Sequence, residues 1–532
     1  MDRRNFIKTA AITGTVAALS PLESCSPTVN KKEEQSVDYN TFELNEITAG
    51  QLQQKMQDKD LSSEEVVQMY LDRIGQVDLK GPELRSVIEI NPDALEIAKQ
   101  LDRERTKGKI RGPLHGIPVM IKDNIDTADK MMTTAGSMAL SGFHAPADAF
   151  IVRKLREAGA VLIAKTNLSE WANIRSTRSS SGWSGRGGQC RNPYDPSRSP
   201  CGSSSGSGVA VSANLCVMAI GTETDGSIVC PSGINGIVGI KPTVGLWSRH
   251  GIIPISHSQD TPGPMARTVT DAAIFLGALA GKDEKDPATN NIPENIPQDY
   301  TGFLDSSGLQ NARIGIIRDF MGFHSEVDKL MESAISDMKE VGAIITDVRC
   351  SEKRREWGNA EWQVFLYELK ADMNKYLSER PNAPVRTLKD IIDFNTANAD
   401  VEMPWFDQEI FLMSQEKGDL AEKEYLDALN ESKKLARETI DNALHEQNLS
   451  VLVAPTNAPA WTIDLVNGDH FIGGSSDLTA ISGYPSITVP MGQIHGLPVG
   501  LSFIGKAWDE ATLIKLAFAF EQGTGKRIAP VF

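Results

Sequence analysis

The sequence carries none of the usual marks of metal or nucleotide chemistry. Its six cysteines, at 25, 190, 201, 216, 230 and 350, form no Cys-x-x-Cys pair, which argues against a zinc site. It has no Gly-x-x-x-x-Gly-Lys loop and no His-Glu-x-x-His helix, so no metal and no cofactor are expected. Basic side chains are the minority and form no stripe: 54 Lys and Arg face 70 Asp and Glu, a net charge of −16. Nucleic-acid binding needs phosphate neutralisation, so no nucleic-acid partner is expected and the acidity reads as solubility. There is no internal repeat. The mild apolar stretch from Thr9 to Leu19 is shorter than a membrane span.

That stretch follows Asp2-Arg3-Arg4-Asn5-Phe6-Ile7-Lys8. A twin arginine ahead of an apolar run is the order found in export signals, so residues 1–25 read as an export segment. Leu22-Glu23-Ser24-Cys25 resembles a lipobox and implies a lipid anchor at Cys25. Glu23 is an unusual occupant there, and simple cleavage and release is the alternative. The polar residues 26–40 read as a tether. The expected destination is the periplasm or cell envelope. Among the other cysteines, Cys201, Cys216 and Cys230 sit between apolar or glycine-rich neighbours and read as small buried packing residues; an oxidising compartment permits disulfides as the alternative, with at least one thiol left free if Cys25 is consumed.

With 40% apolar and 23% charged residues, the rest of the chain has the balance of a soluble globular protein. Thr48-x-x-Gln51 and Ser62-x-x-Glu65 are capping boxes that open two short helices. A third helix is expected from Pro92 to Lys107. From Ile110 the texture alternates. Pro118–Ile121 reads as a buried strand, Asp148 as the cap of a helix bearing Ile151, Val152 and Leu155, and Val161–Ala164 as the next strand. Ile314–Ile317 and Val451–Val453 read as later strands of the same kind. This rhythm predicts an α/β fold with a large mixed, mostly parallel central sheet flanked by helices. Residues 41–532 would form one catalytic domain, with a helical insertion at about 325–445. Trp357, Trp362 and Phe365 in that insertion serve either as core or as the lining of an apolar pocket.

Three segments stand out chemically. Cys201-Gly202-Ser203-Ser204-Ser205-Gly206-Ser207-Gly208 runs straight into apolar residues, so it reads as a tight loop in the core rather than a linker. In Gly221-Thr222-Glu223-Thr224-Asp225-Gly226-Ser227, a small-residue turn ends on a serine that can stand beside free backbone N–H groups. Lys122 ends a buried strand, where desolvation lowers a lysine's pKa and frees the amine to act as a base.

Together these segments resemble the amidase signature family. Gly116–Asn124 is similar to its lysine motif, and Ser203 and Ser227 keep its 24-residue separation. Lys165–Trp171, Asn192–Asp195, Lys241–Thr243, Asp260–Met265, Gly483–Ser486 and Gly496–Gly500 resemble further landmarks in order. The resemblance spans roughly residues 45 to 532. It implies that Ser227 is the nucleophile, Ser203 a bridging serine next to a cis peptide, and Lys122 the base. Backbone N–H groups from Thr224, Asp225, Gly226 and Ser227 would form the oxyanion hole. Asp225 and Cys201 stand where many family members have glycine. A Ser-His-Asp arrangement with His257 and Asp260 is the competing reading, but Ser227 has no Gly-x-Ser-x-Gly elbow.

Members that take acidic substrates carry an arginine two or three residues after the nucleophile, where this chain has Val229 and Cys230. The core also resembles the glutamyl-tRNA amidotransferase subunit. Leu366–Asp372 in the helical region, together with Thr224–Pro231, looks most similar to the peptide amidase branch, which implies hydrolysis of C-terminal peptide amides with release of ammonia. Other small-amide or aryl-amide hydrolysis, or a non-catalytic binding role on the same fold, are the alternatives. The expected partner is therefore a small amide or an amidated peptide.

Overall fold

The structure is a computed structural model that describes residues 39–532. The expected export segment, Cys25 and nearly all of the tether lie outside the described residues. Both capping boxes form: Thr48 caps the helix Ala49–Asp58 and Ser62 caps Ser63–Arg73. The third helix runs Ala94–Thr106. The helix after Asp148 starts at Phe150, but Asp148 does not cap it. Its carboxylate instead accepts from Ala128 N at 2.8 Å and pairs with Arg156. The Arg156 guanidinium, about two helical turns along, holds that carboxylate by a charge-assisted pair.

Thirteen strands form among the described residues. The N-terminal half supplies β1 (Val87–Ile90), β2 (Pro118–Lys122), β3 (Val161–Thr166) and the short hairpin β4 (Trp183–Ser184) and β5 (Gly188–Gln189). Then come β6 (Met218–Glu223), β7 (Val238–Lys241) and β8 (Thr261–Ala266). The C-terminal half adds β9 (Arg313–Ile317), β10 (Ile344–Val348), β11 (Val451–Pro455), β12 (Ser486–Ile494) and β13 (Leu497–Ile504). Eleven of them make one sheet in the order β1-β3-β2-β6-β8-β7-β12-β13-β11-β9-β10. The chain thus adopts the expected α/β fold, a large mixed sheet flanked by helices. Parallel runs β3-β2-β6 and β11-β9-β10 lie on either side of an antiparallel middle. β2, β3 and β6 are buried along their whole length, as strands covered on both faces must be.

The helical region departs from its expected start. Ser325–Glu340 is a crossover helix that returns the chain to β10, and β10 pairs in parallel with β9. The helical layer proper runs from Arg354 to Glu446, between β10 and β11. The pattern of 344–348 alternates weakly because β10 is the exposed edge strand, so its strand character is hidden among charged helices. Trp357 is fully buried core, packed with Ile317, Phe320 and Leu478. Trp362 packs, half-buried, against a cluster with Leu366 and Phe411. No described helix is long and apolar enough to cross a membrane.

Candidate active site

Parallel pairing of β2 with β6 sets Ile121 opposite Ile220, so both strands end on the same edge of the sheet. In open α/β sheets the crevice beyond the carboxyl ends of such strands is where ligands sit. Lys122 closes β2, and the turn after β6 leads to Ser227. Their proximity follows from register although about a hundred residues separate them.

Lys122 is fully buried. Its Nζ lies 2.7 Å from Ser203 Oγ, 2.9 Å from Thr222 Oγ1 and 3.2 Å from Thr222 O. Burial pushes its pKa down to about 7, against the opposing charges of Asp260 and Glu223. Asp123, its neighbour in sequence, points elsewhere: its carboxylate accepts from Thr134 Oγ1 and Gly136 N and faces Arg186. Successive residues leaving a strand point to opposite sides, which separates the pair.

Ser203 is fully buried and follows a cis peptide bond from Gly202, as the resemblance implies. The loop then enters the helix Ser205–Ser212, buried throughout, which explains a segment built of serine and glycine. Ser204 N donates to Ser227 O at 3.2 Å, joining the two serine loops. No hydrogen bond links Ser203 Oγ to Ser227 Oγ among the described residues. Ser227 itself reaches the surface slightly, at 8% exposure.

The turn before Ser227 has the expected backbone character. The N–H groups of Asp225, Gly226 and Ser227 have no protein acceptor among the described residues. Gly226 has φ +78°, and a Cβ there would stand 2.8 Å from Ser476 Oγ, so glycine is required on two counts. Thr224 lends its side chain and carbonyl: Oγ1 donates to Asp260 at 2.6 Å, and its O accepts from Gln259 Nε2 at 3.3 Å. The Asp225 carboxyl is raised by burial and by the nearby Asp477.

The sequence reading missed three contributors. Glu223, buried at 1% exposure, accepts from Ile228 N at 2.7 Å and Val229 N at 3.0 Å, clamping the backbone just past Ser227. Thr222 accepts from both Lys122 and Asn124. Both residues lie inside the segment singled out for Ser227, but polar side chains there drew no separate signal. The third correction is covalent: Cys201 and Cys230, expected as packing residues, form a disulfide. Cys190, Cys216 and Cys350 are buried free thiols. The signal for the pairing was positional, since the two cysteines flank the two serine segments.

His257 does not meet Asp260 or Ser227. Its Nδ1 lies 2.9 Å from Asp372 of the helix Arg354–Ser378, while Asp260 serves Thr224, Ile255 N and Ser256 N. The Ser-His-Asp alternative therefore has no geometry behind it. His257, Glu368 and Asp372 place three potential ligand atoms within 4.8 Å, yet Glu368 already accepts from Ser256, Ser258 and Tyr425. A cavity of about 1430 Å³ opens beside the lysine end of the site and is lined by Asn124, Thr222, Thr224, Asp260, His257 and Lys433 among others.

The site sets a buried lysine against one serine and a turn of free backbone N–H groups at another. The comparisons with known proteins carry this further. A model of the family described as Amidase matches residues 65–514, and the chain belongs to the amidase signature family. It is 51% identical to the native peptide amidase from Stenotrophomonas maltophilia, with a TM-score of 0.89 over 92% of this chain and 100% of that one. The peptide amidase PAM bound to the competitive inhibitor chymostatin gives a TM-score of 0.90 at the same identity and coverage. A probable amidase of Arabidopsis thaliana is 42% identical over 501 residues, covering 92% of this chain and 93% of its own.

Proposed function

We propose that this amidase hydrolyses primary carboxamides, with the C-terminal amides of peptides as its substrates, through an acyl-enzyme on Ser227. The 2.7 Å contact between Lys122 Nζ and Ser203 Oγ carries the reading of the chemistry. A neutral lysine amine has one lone pair, and Ser203 is placed to donate to it. Ser203 Oγ in turn takes the proton of Ser227 as that oxygen attacks the substrate carbonyl. The C–O bond forms as the carbonyl π electrons move onto oxygen, and the oxyanion is received by the free N–H groups of the Asp225–Ser227 turn. Collapse breaks the C–N bond, the relay returns its proton to nitrogen, and ammonia leaves. Water then attacks the ester by the same route and frees Ser227. The likeness to peptide amidase over nearly the full chain supports the substrate class, as does Val229-Cys230, which leaves no cation for a carboxylate beside the scissile amide.

The test is ammonia release from amidated peptides compared with simple aliphatic and aryl amides. Turnover of amidated peptides at the highest kcat/KM supports the reading. Preference for an aryl amide would move the substrate class, and failure of Ser227 to react with a fluorophosphonate would return the chain to a binding role. We further propose export directed by Arg3-Arg4 and anchoring through Cys25. A disulfide beside the active site is in keeping with an oxidising compartment.

A further inference from the structure

The two serine loops meet at more than the serines. Cys201 stands two residues before Ser203, and Cys230 three residues after Ser227. Their disulfide joins the loops across a sequence separation of 29. Cys201 holds φ +57°, left-handed backbone that a non-glycine residue keeps only under constraint. Its carbonyl accepts from Ser205 Oγ at 2.6 Å. On the opposite side the loop has no room to retreat, because a Cβ on Gly202 would stand 2.2 Å from Ser169 Oγ. Cys230 lies in the first turn of the helix Val229–Ile234, and its N–H donates to Gly226 O at 2.8 Å, inside the oxyanion turn. The sulfurs are buried against Ile234, Ala460 and Trp461.

The loops have other ties, all hydrogen bonds. Ser204 N reaches Ser227 O, Ser204 Oγ donates to Thr222 O at 3.0 Å and accepts from Thr222 N at 3.1 Å, and Asn235 Nδ2 bridges Pro200 O and Pro231 O at 2.9 and 2.7 Å. None of them joins the two hydroxyls, which share no hydrogen bond of their own. Ser203 is held from one side by Lys122, whereas Ser227 is placed only by its backbone. The proton relay thus depends on how far apart two loops stand, and displacements of the order of an ångström at reacting atoms cost about a hundredfold in rate.

We propose that the Cys201–Cys230 disulfide is a positioning tether that sets the distance between Ser203 and Ser227. The inference rests on the Ser227–Ser203–Lys122 relay proposed above. Its effect belongs to kcat, since it acts on proton transfer and attack, not on substrate binding. It also leaves the lysine environment intact, so the acid limb of the pH profile stays where it is.

The experiment uses the full chain in three forms: wild type, wild type reduced under native conditions with tris(2-carboxyethyl)phosphine, and the double variant Cys201→Ala/Cys230→Val. The phosphine is oxidised to its oxide as the disulfide gains two electrons and two protons. Near-UV circular dichroism gives the folded fraction, and all rates are expressed per folded molecule. The expected result is a kcat at least fivefold lower in both untethered forms. KM should stay within twofold, the acid limb should not move, and fluorophosphonate labelling of Ser227 should slow in parallel. Reoxidation of the reduced wild type should restore the rate. A kcat loss below fivefold overturns the proposal, as does a loss carried by KM. An acid limb that moves upward also overturns it, because that reports water reaching Lys122. Ser203→Ala in the same assay separates the two levels: if it keeps activity the relay itself is wrong, whereas a dead Ser203→Ala beside a fast double variant rejects only the tether.

Discussion

At Lys122 the balance of burial against charge decides when the enzyme works. A pKa near 7 means the amine is mostly charged at pH 6 and mostly neutral at pH 8. The neutral form is the competent base, so kcat/KM should rise with pH through about 7 and be lost on the acid side. Lys122→Arg should not restore activity, because guanidinium stays charged across this range. A near-normal rate in that variant would remove Lys122 from the relay. Glu223 enters the same balance. Glu223→Gln keeps an oxygen for Ile228 N and Val229 N but deletes the charge that favours the ammonium form. The acid limb should therefore move to lower pH; an unmoved limb in a folded variant would show that Glu223 is not felt at Lys122. Ser227→Ala should cost about 10⁴-fold or more in kcat with the fold unchanged, measured as ammonia release. The residues of the relay were legible in the sequence because each sits in a short contiguous motif with distinctive composition. Glu223, Thr222 and the cystine were not, because their roles consist of contacts with backbone or with partners that only the folded loops bring near.

Among the elements, the segment Ala399–Glu402 of the helical layer docks on the core through a buried carboxyl pair. Glu402 accepts from Met138 N at 2.6 Å, and Glu170, paired with Arg175 at 3.0 Å, accepts from Gly185 N at 2.7 Å. Both carboxylates close on Gly185, where a Cβ would lie 3.0 Å from Glu170 Oε2 and 3.1 Å from Glu402 Oε2. Burial raises both pKa values; the Glu402 charge raises Glu170 further, while the hydrogen bond from Glu170 offsets part of the rise at Glu402. A carboxyl raised in the folded state holds a proton that the unfolded chain releases near pH 4.5. Its stabilising effect is complete below that point and is lost as pH rises through the folded pKa. Glu402→Gln keeps the hydrogen-bonding shape without the charge, so its melting temperature should gain on wild type as pH rises from 5 to 9, by roughly 1–3 °C. A constant difference across that range would mean the pair does not share a proton. This docking lay beyond the sequence because 232 positions separate the partners and neither carries a motif. The start of the layer was misjudged for a related reason, since the edge strand β10 has too little buried surface to imprint an alternating pattern.

For the whole molecule, the α/β character was readable because buried strands leave short apolar runs, while the strand order was not, because register is decided by packing between distant segments. Export belongs at this scale too. Replacing Arg3 and Arg4 together with Lys should leave precursor in the cytoplasm, and Cys25→Ala should release the protein from membranes; both are read by fractionation and immunoblot. Normal export of the lysine pair would point to another route, and an unchanged soluble fraction for Cys25→Ala would mean simple secretion. The disulfide has one more consequence, for anyone who maps the protein chemically. It closes a covalent ring from Cys201 to Cys230 that contains Ser203, Met218 and Ser227. Cleavage after Met218 cuts the chain between the two serines, yet the pieces stay joined. A label on Ser227 will travel with the Ser203 peptide until a reductant parts them.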